Sequence, residues 1–195
     1  MSKRSTIHAI VYTALMAALI YALALLLTFP FLGSKIHPSN VGDMLAGLIL
    51  GPWLGGLASG IGNFFFDITH GYSLIMSLVT FVTKFLSAML VGLFAGAWRK
   101  EGPVLDRSGH LRVILGCVLG GLAYIAMYMT KTLIVQSFFT DPFPEEGVLA
   151  VMLTKLPGTA INNGFAAVVT PILYTALRPA LNAIGVLDQL RPKKI

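Results

Sequence analysis

The sequence predicts an all-α integral membrane protein, a six-transmembrane-helix bundle with both termini cytoplasmic. Three observations carry this expectation. Hydrophobic residues make up 56% of the chain and charged residues 11%, where an average soluble domain is about 25% charged. The mean hydropathy is +0.81, and the apolar residues are spread along the chain, so a soluble domain with one anchor is excluded. The 195 residues accommodate roughly six spans at about 20 residues each with short turns. No length is left for a second domain, so residues 1–195 are expected to form a single membrane domain. Finally, the basic residues cluster at Lys3 and Arg4, at Arg99, Lys100, Arg107 and Arg112, and at Arg178, Arg191, Lys193 and Lys194. These are the two ends and one central loop, the positive-inside pattern of an even number of spans. The net charge of +6 is thereby explained by the lipid bilayer, without nucleic acid as a partner.

Helix 1 is expected over about 7–29. It lacks a small-residue cleavage site after a short apolar core and reads as a true span. Pro30 and Pro38 bracket an extended outer loop and stop helix 1. Helix 2, about 40–51, is too short to cross a hydrocarbon core of about 30 Å upright. Asn40 is placed as its cap, with Asp43 in its first turn. Pro52 opens helix 3, about 52–69, after a tight turn. Helix 4 covers about 74–98 and ends at Arg99 and Lys100. The loop 99–111 is the long polar connection inside. Helix 5 covers about 112–139. The outer loop that follows carries Asp141, Glu145 and Glu146. Helix 6, about 148–177, is expected to bend at Pro157 and Pro171. The single Cys117 permits no internal disulfide.

Ionisable groups at depth in a membrane are costly and usually functional. Asn63 and Asp67 share one face of helix 3 at i and i+4. Ser77, Thr80, Lys84 and Ser87 make a polar stripe on helix 4. Tyr124, Tyr128 and Lys131 share a face of helix 5, and Lys155, Thr159 and Asn162 do so on helix 6. Lys131 and Lys155 are near enough to helix ends to snorkel to headgroups. Lys84 is not, and is expected in a site or in an ion pair, for example with Asp67. His70 and His37 are read as solvated. Together these stripes describe a polar cavity open to the outside, suited to a small polar ligand. The candidate substrate-binding residues are Asn40, Asn63, Asp67, Tyr72, Lys84, Tyr128, Lys131, Asn162 and Asn163. No HExxH or CxxC motif points to a metal, and no cofactor or catalytic residue is expected.

The small residues carry a second message. Ala14, Ala18 and Ala22 are four apart on helix 1, a small-xxx-small face that lets another helix approach closely. It lies away from the polar stripes and is read as a partner-docking surface. Gly47, Gly51, Gly55, Gly56 and Gly60 repeat the spacing and are read as packing within the bundle. There is no G-x-x-x-x-G-K-[ST], so ATP hydrolysis by a P-loop is excluded. A binding cavity without a motor needs an energised partner.

The run Asn40-Val41-Gly42-Asp43, then LILGPWLGGLASGIGNFFFDITHGY over 48–72, Thr83-Lys84-Phe85 and Gly92, with YTALMAALIYALA in helix 1, resembles the substrate-binding S components of energy-coupling factor (ECF) transporters, riboflavin-type group. The resemblance covers most of the chain and is most specific over 40–96. It implies a prokaryotic plasma-membrane protein that captures a vitamin or precursor from outside. It implies docking through the helix 1 alanines, here Ala14 and Ala18, on a transmembrane T component with two cytoplasmic ATPase subunits. The helix 4–6 polar set matches no particular substrate signature. Hydroxymethylpyrimidine, a B6 vitamer, riboflavin, pantothenate and cobalamin all remain open as substrates. Two other readings of the residues stand beside this one: an intramembrane enzyme using Asp67, His70 and Lys84, and an assembly protein whose cavity is incidental.

Overall fold

The structure, a computed structural model, describes residues 3–26, 29–31, 34–36, 38–99, 103, 106–138 and 147–190. Six long or medium helices dominate: α1 (Lys3–Leu26), α2 (Ser39–Leu50), α3 (Pro52–Thr69), α4 (Leu74–Phe94), α5 (Arg107–Phe138) and α6 (Gly147–Ala183). A short α7 (Val186–Leu190) follows, and a hairpin of β1 (Phe29–Phe31) and β2 (Ser34–Ile36) joins α1 to α2. The hairpin register pairs Phe29 with Ile36 and Phe31 with Ser34. His37 and the acidic residues 141, 145 and 146 lie outside the described residues.

Four helices, α1, α4, α5 and α6, are long and apolar enough to cross a membrane. Between 22% and 28% of each apolar stretch is buried within the molecule. The rest presents side chains such as Ile10, Leu19, Ile75, Leu78, Leu122 and Val168 outward. A soluble protein hides such surface, whereas a bilayer solvates it. α2 is the opposite case: all twelve of its residues are buried. At 1.5 Å per residue it is about 18 Å long. It forms the centre of the bundle, ringed by α1, α3, α4 and α6.

Close backbone approach explains the glycines around α2. A Cβ at Gly92 of α4 would stand 2.7 Å from the Gly47 carbonyl oxygen and 2.9 Å from Pro52. A Cβ at Gly47 would collide with the Ala88 carbonyl. Both neighbours are backbone and cannot yield, so small residues at this crossing are obligatory. Gly51 turns the chain between α2 and α3 with φ of +83°, a conformation glycine adopts without steric cost.

Several helix ends differ from the sequence expectation, each for a local reason. α1 ends at Leu26, and Phe29 belongs to β1 rather than to the helix. α4 ends at Phe94 instead of running to Trp98, because Gly96 adopts φ of +73°. There the Ala97 amide donates to Gly92 O at 2.8 Å and the Gly96 amide to Leu93 O, a Schellman closure. α5 begins at Arg107, not Arg112. Asp106 caps it, accepting from the Gly109 amide at 2.6 Å and from the Ser108 hydroxyl at 2.9 Å. α6 continues to Ala183 despite Pro157, Pro171 and Pro179. α7 then folds back, burying Val186 and Leu187, and Tyr12 of α1 donates to Gln189 at 3.0 Å. α2 starts at Ser39, and the Pro38 position ahead of it has no side-chain cap. Asn40 is therefore inside the helix rather than capping it, and Asp43 lies beyond the first turn.

Candidate binding site

Lys84 sits halfway along α4 and is 3% exposed. A cation at such depth needs its charge matched and its donors filled. Its Nζ donates to Asp43 Oδ2 at 2.8 Å, forming an ion pair, and to Asn40 Oδ1. The ammonium also lies over the Tyr124 ring, 4.3 Å from its centroid, a cation–π contact. Asp43 is completed from α3: Ser59 Oγ donates to its Oδ1 at 2.7 Å and Asn63 Nδ2 at 2.8 Å. Ser59 is within 3.2 Å of the Lys84 carbonyl, and Asn63 also donates to Ser59 O. One buried network thus ties α2, α3, α4 and α5 together.

This geometry corrects two expectations. The direct partner of Lys84 is Asp43, not Asp67, which stands two helical turns beyond Ser59. Asp43, read from sequence as a first-turn residue of α2, is the charge that the network is built around. Ser59, a small polar residue among glycines, is the next member, one turn deeper, of the Asn63–Asp67 stripe at i and i+4. Tyr124 joins the site through its ring face.

Asp67, Tyr72, Tyr128 and Lys131 lie nearer the hairpin end. Asp67 is half-buried in the last turn of α3, and Tyr72, in the turn that follows, is 45% exposed. The Tyr72 amide donates to Asp67 O at 3.1 Å, which keeps the two together. Tyr128 stacks on Tyr124 with ring centroids 6.0 Å apart, as their i and i+4 positions on α5 dictate. One turn on, Lys131 Nζ donates to Thr80 Oγ1 of α4 at 3.0 Å. On α6, Asn162 and Asn163 are both buried. Asn163 donates to Thr159 O at 2.8 Å and lies against Gly121 of α5. The structure therefore brings Asn40, Asn63 and Lys84 into one contact network. It places Tyr128 and Lys131 along the same α5 face, and it puts Asn163 at the α5–α6 contact instead of in that network.

A different surface lies between α1 and α3. It is an apolar groove of about 1030 Å³, lined by Ala14, Ala17, Ala18, Trp53, Leu57 and Phe65 among others. Ala14 and Ala18 are exposed there, while Ala22 is half-buried and outside the lining.

The family profile of the ECF-type riboflavin transporter S component matches residues 4–179, nearly the whole chain. The chain belongs to that family. An S component is the substrate-binding subunit of a transporter, and this one is a multi-pass membrane protein. The chain is also similar to a solved structure described as the S component of a bacterial ECF transporter. The TM-score is 0.63 at 17% identity, covering 90% of this chain and 98% of that one, which establishes a shared fold. A Pyrococcus woesei protein, described as an uncharacterized protein in a gap 3′ region, is 33% identical over 94 residues. That alignment spans 47% of this S component and 56% of the relative, so the chain matches about half of that protein's length.

Proposed function

We propose that this S component is the substrate-specific membrane subunit of an ECF-type importer, capturing a small water-soluble vitamin or vitamin precursor from outside a prokaryotic cell. The observation that carries the reading is the family match over residues 4–179. The family's description makes riboflavin the first compound to try. In this reading the six principal helices all count as spans, with both termini cytoplasmic, as the basic clusters at the two ends and in the loop before α5 favour. The hairpin end faces outward.

Within the site, Tyr72, Tyr128 and Lys131 meet the ligand, with Asp67 shaping the wall and Asn162 and Asn163 at the depth of the floor. Asn40, Asn63 and Lys84 form the floor, tied together through Asp43 and Ser59. This charge-matched floor closes the cavity toward the cytoplasm. The chain supplies no energy of its own. A transmembrane T component and two cytoplasmic ATPases drive delivery, and the T component docks on the α1–α3 groove at Ala14 and Ala18. Small side chains there admit a partner helix at close range.

The test is uptake with the T component and ATPases co-expressed. Ala14→Trp and Ala18→Trp fill the groove; they are expected to abolish uptake and T-component pull-down while vitamin affinity stays unchanged. Normal uptake by both variants would refute the docking role. Turnover of the bound compound by the isolated chain would favour an enzyme instead.

A further inference from the structure

On α5 and α6, two lysine ammonium groups stand outside the Asp43–Lys84 network. Lys131 on α5 is half-buried, and its partner is a neutral hydroxyl, Thr80 Oγ1 at 3.0 Å. Lys155 on α6 is also half-buried. Among the described residues its ammonium has neither an ion-pair nor a hydrogen-bond partner. The two lysines are within electrostatic reach of each other, on helices that pack together. Asp67 is within reach of Lys131 as well but makes no ion pair with it. Among the described residues Lys131 and Lys155 are thus not matched by an ion pair, whereas Lys84 deeper in is matched one to one. Half-buried charge of one sign is costly to hold, and a bound anion relieves it. Leading inward from Lys131, the stacked rings of Tyr128 and Tyr124 offer a flat wall to an uncharged body.

We propose that the ligand carries an anionic group, phosphate or carboxylate, seated between Lys131 and Lys155, with its uncharged body along Tyr128. This rests on the reading of the chain as a vitamin-binding subunit and names the substrate class within it. The two lysines come from different helices, so the anion bridges α5 and α6 at the hairpin end. Ligand binding then draws those two helices together.

The experiment titrates the purified full chain with matched pairs: riboflavin and riboflavin 5′-phosphate, pyridoxine and pyridoxine 5′-phosphate, panthenol and pantothenate. Charge-assisted hydrogen bonds to two lysines give the anionic member of the binding pair an advantage of about tenfold or more. Lys131→Met and Lys155→Met each remove most of that advantage, read as the ratio of the two members' affinities within one variant; Lys155→Met leaves the neutral member's affinity unchanged, and Lys155→Arg retains the advantage. Equal or tighter binding of the neutral member overturns the proposal, as does an advantage untouched by either Met variant. If no pair binds, thermal stabilisation by inorganic pyrophosphate decides. A shift lost in the Lys131→Met/Lys155→Met double variant upholds the anion site while the vitamin reading falls; no shift sinks both. The titrations are repeated in nanodiscs of phosphatidylcholine with and without phosphatidylglycerol. If the variants differ from wild type only in the presence of phosphatidylglycerol, the lysines serve lipid headgroups and the proposal fails.

Discussion

Asp43 and Lys84 are 41 positions apart in sequence and 2.8 Å apart in space. Each is 4% exposed at the side chain, so the energetic consequence of removing one is dominated by the charge left behind. Lys84→Met leaves a buried carboxylate with only the neutral donors Ser59 and Asn63. Such a half-broken pair costs about 3–5 kcal/mol. Replacing both, as Asp43→Asn with Lys84→Met, removes the stranded charge and should recover a large part of the loss. A double-mutant cycle of detergent-solubilised protein, read by thermal unfolding, checks this. The sequence singled out Lys84 as a lone cation in an apolar helix, and it missed the partner. Any of Asp43, Asp67 or a headgroup could answer a mid-span lysine until the α2–α4 crossing is known. Asp106 is the counter-example, a local interaction that was readable. The Gly109 amide, then the Ser108 hydroxyl, hold its carboxyl below the usual carboxylate range. A depressed folded-state pKa means the cap is fully present above the unfolded value of about 3.9. It is lost as pH falls through the folded value. The protection factor of the Gly109 amide, the intrinsic exchange rate over the observed rate at the same pH, should be high near pH 6, fall in wild type as pH drops below about 4, and be low and flat with pH in Asp106→Ala.

Helices are legible where the apolar pattern is long, and their ends where glycine or proline fixes the break; Asn40, expected as the α2 cap, lies inside that helix. The α2–α3 break at Gly51 and Pro52 follows from residues with one conformational use each. α5 started early because the Asp106-Arg107-Ser108-Gly109 run was read as loop for its polarity, when Asp before a helix is a cap. The apolar run Ala95 to Trp98 hides the end of α4 in the sequence, and Gly96 at φ of +73° is what stops it. α7 was unreadable as an element: five residues hold no periodicity, and what fixes them is burial of Leu187, 1% exposed, under α1, α2 and α6. The glycine spacing was read as internal packing, and the α2–α4 crossing has that form. Gly92→Ala places a methyl against backbone on two sides and should destabilise by about 1–3 kcal/mol. Gly164→Ala on α6, where an added Cβ meets nothing within 4 Å, should instead be neutral or stabilising by up to about 1 kcal/mol. Unfolding midpoints of the two variants, measured side by side, separate crowding from a general intolerance of side chains.

At the scale of the whole molecule, the membrane class was settled by composition, and the fold by the order of motifs from Asn40 to Gly96. The site was readable as polar stripes and not as a site, because stripes on different helices meet only after packing sets their rotation. Asn40, Asn63 and Lys84 turn inward to Asp43, while Lys131 and Lys155 do not. The proposed topology makes its own prediction. In a Cys117→Ala background, Ser73→Cys in the α3–α4 turn should react with an impermeant thiol reagent in intact cells. Ser108→Cys, at the start of α5, should react only after permeabilisation. The central claim, that the chain is a receptor for a small water-soluble vitamin, is tested most directly by native mass spectrometry of the purified protein followed by calorimetric titration with a vitamin panel. The account predicts one vitamin bound per chain with a nanomolar Kd, about −12 kcal/mol. A folded, monodisperse protein that carries no small molecule and binds no compound on the panel would contradict it.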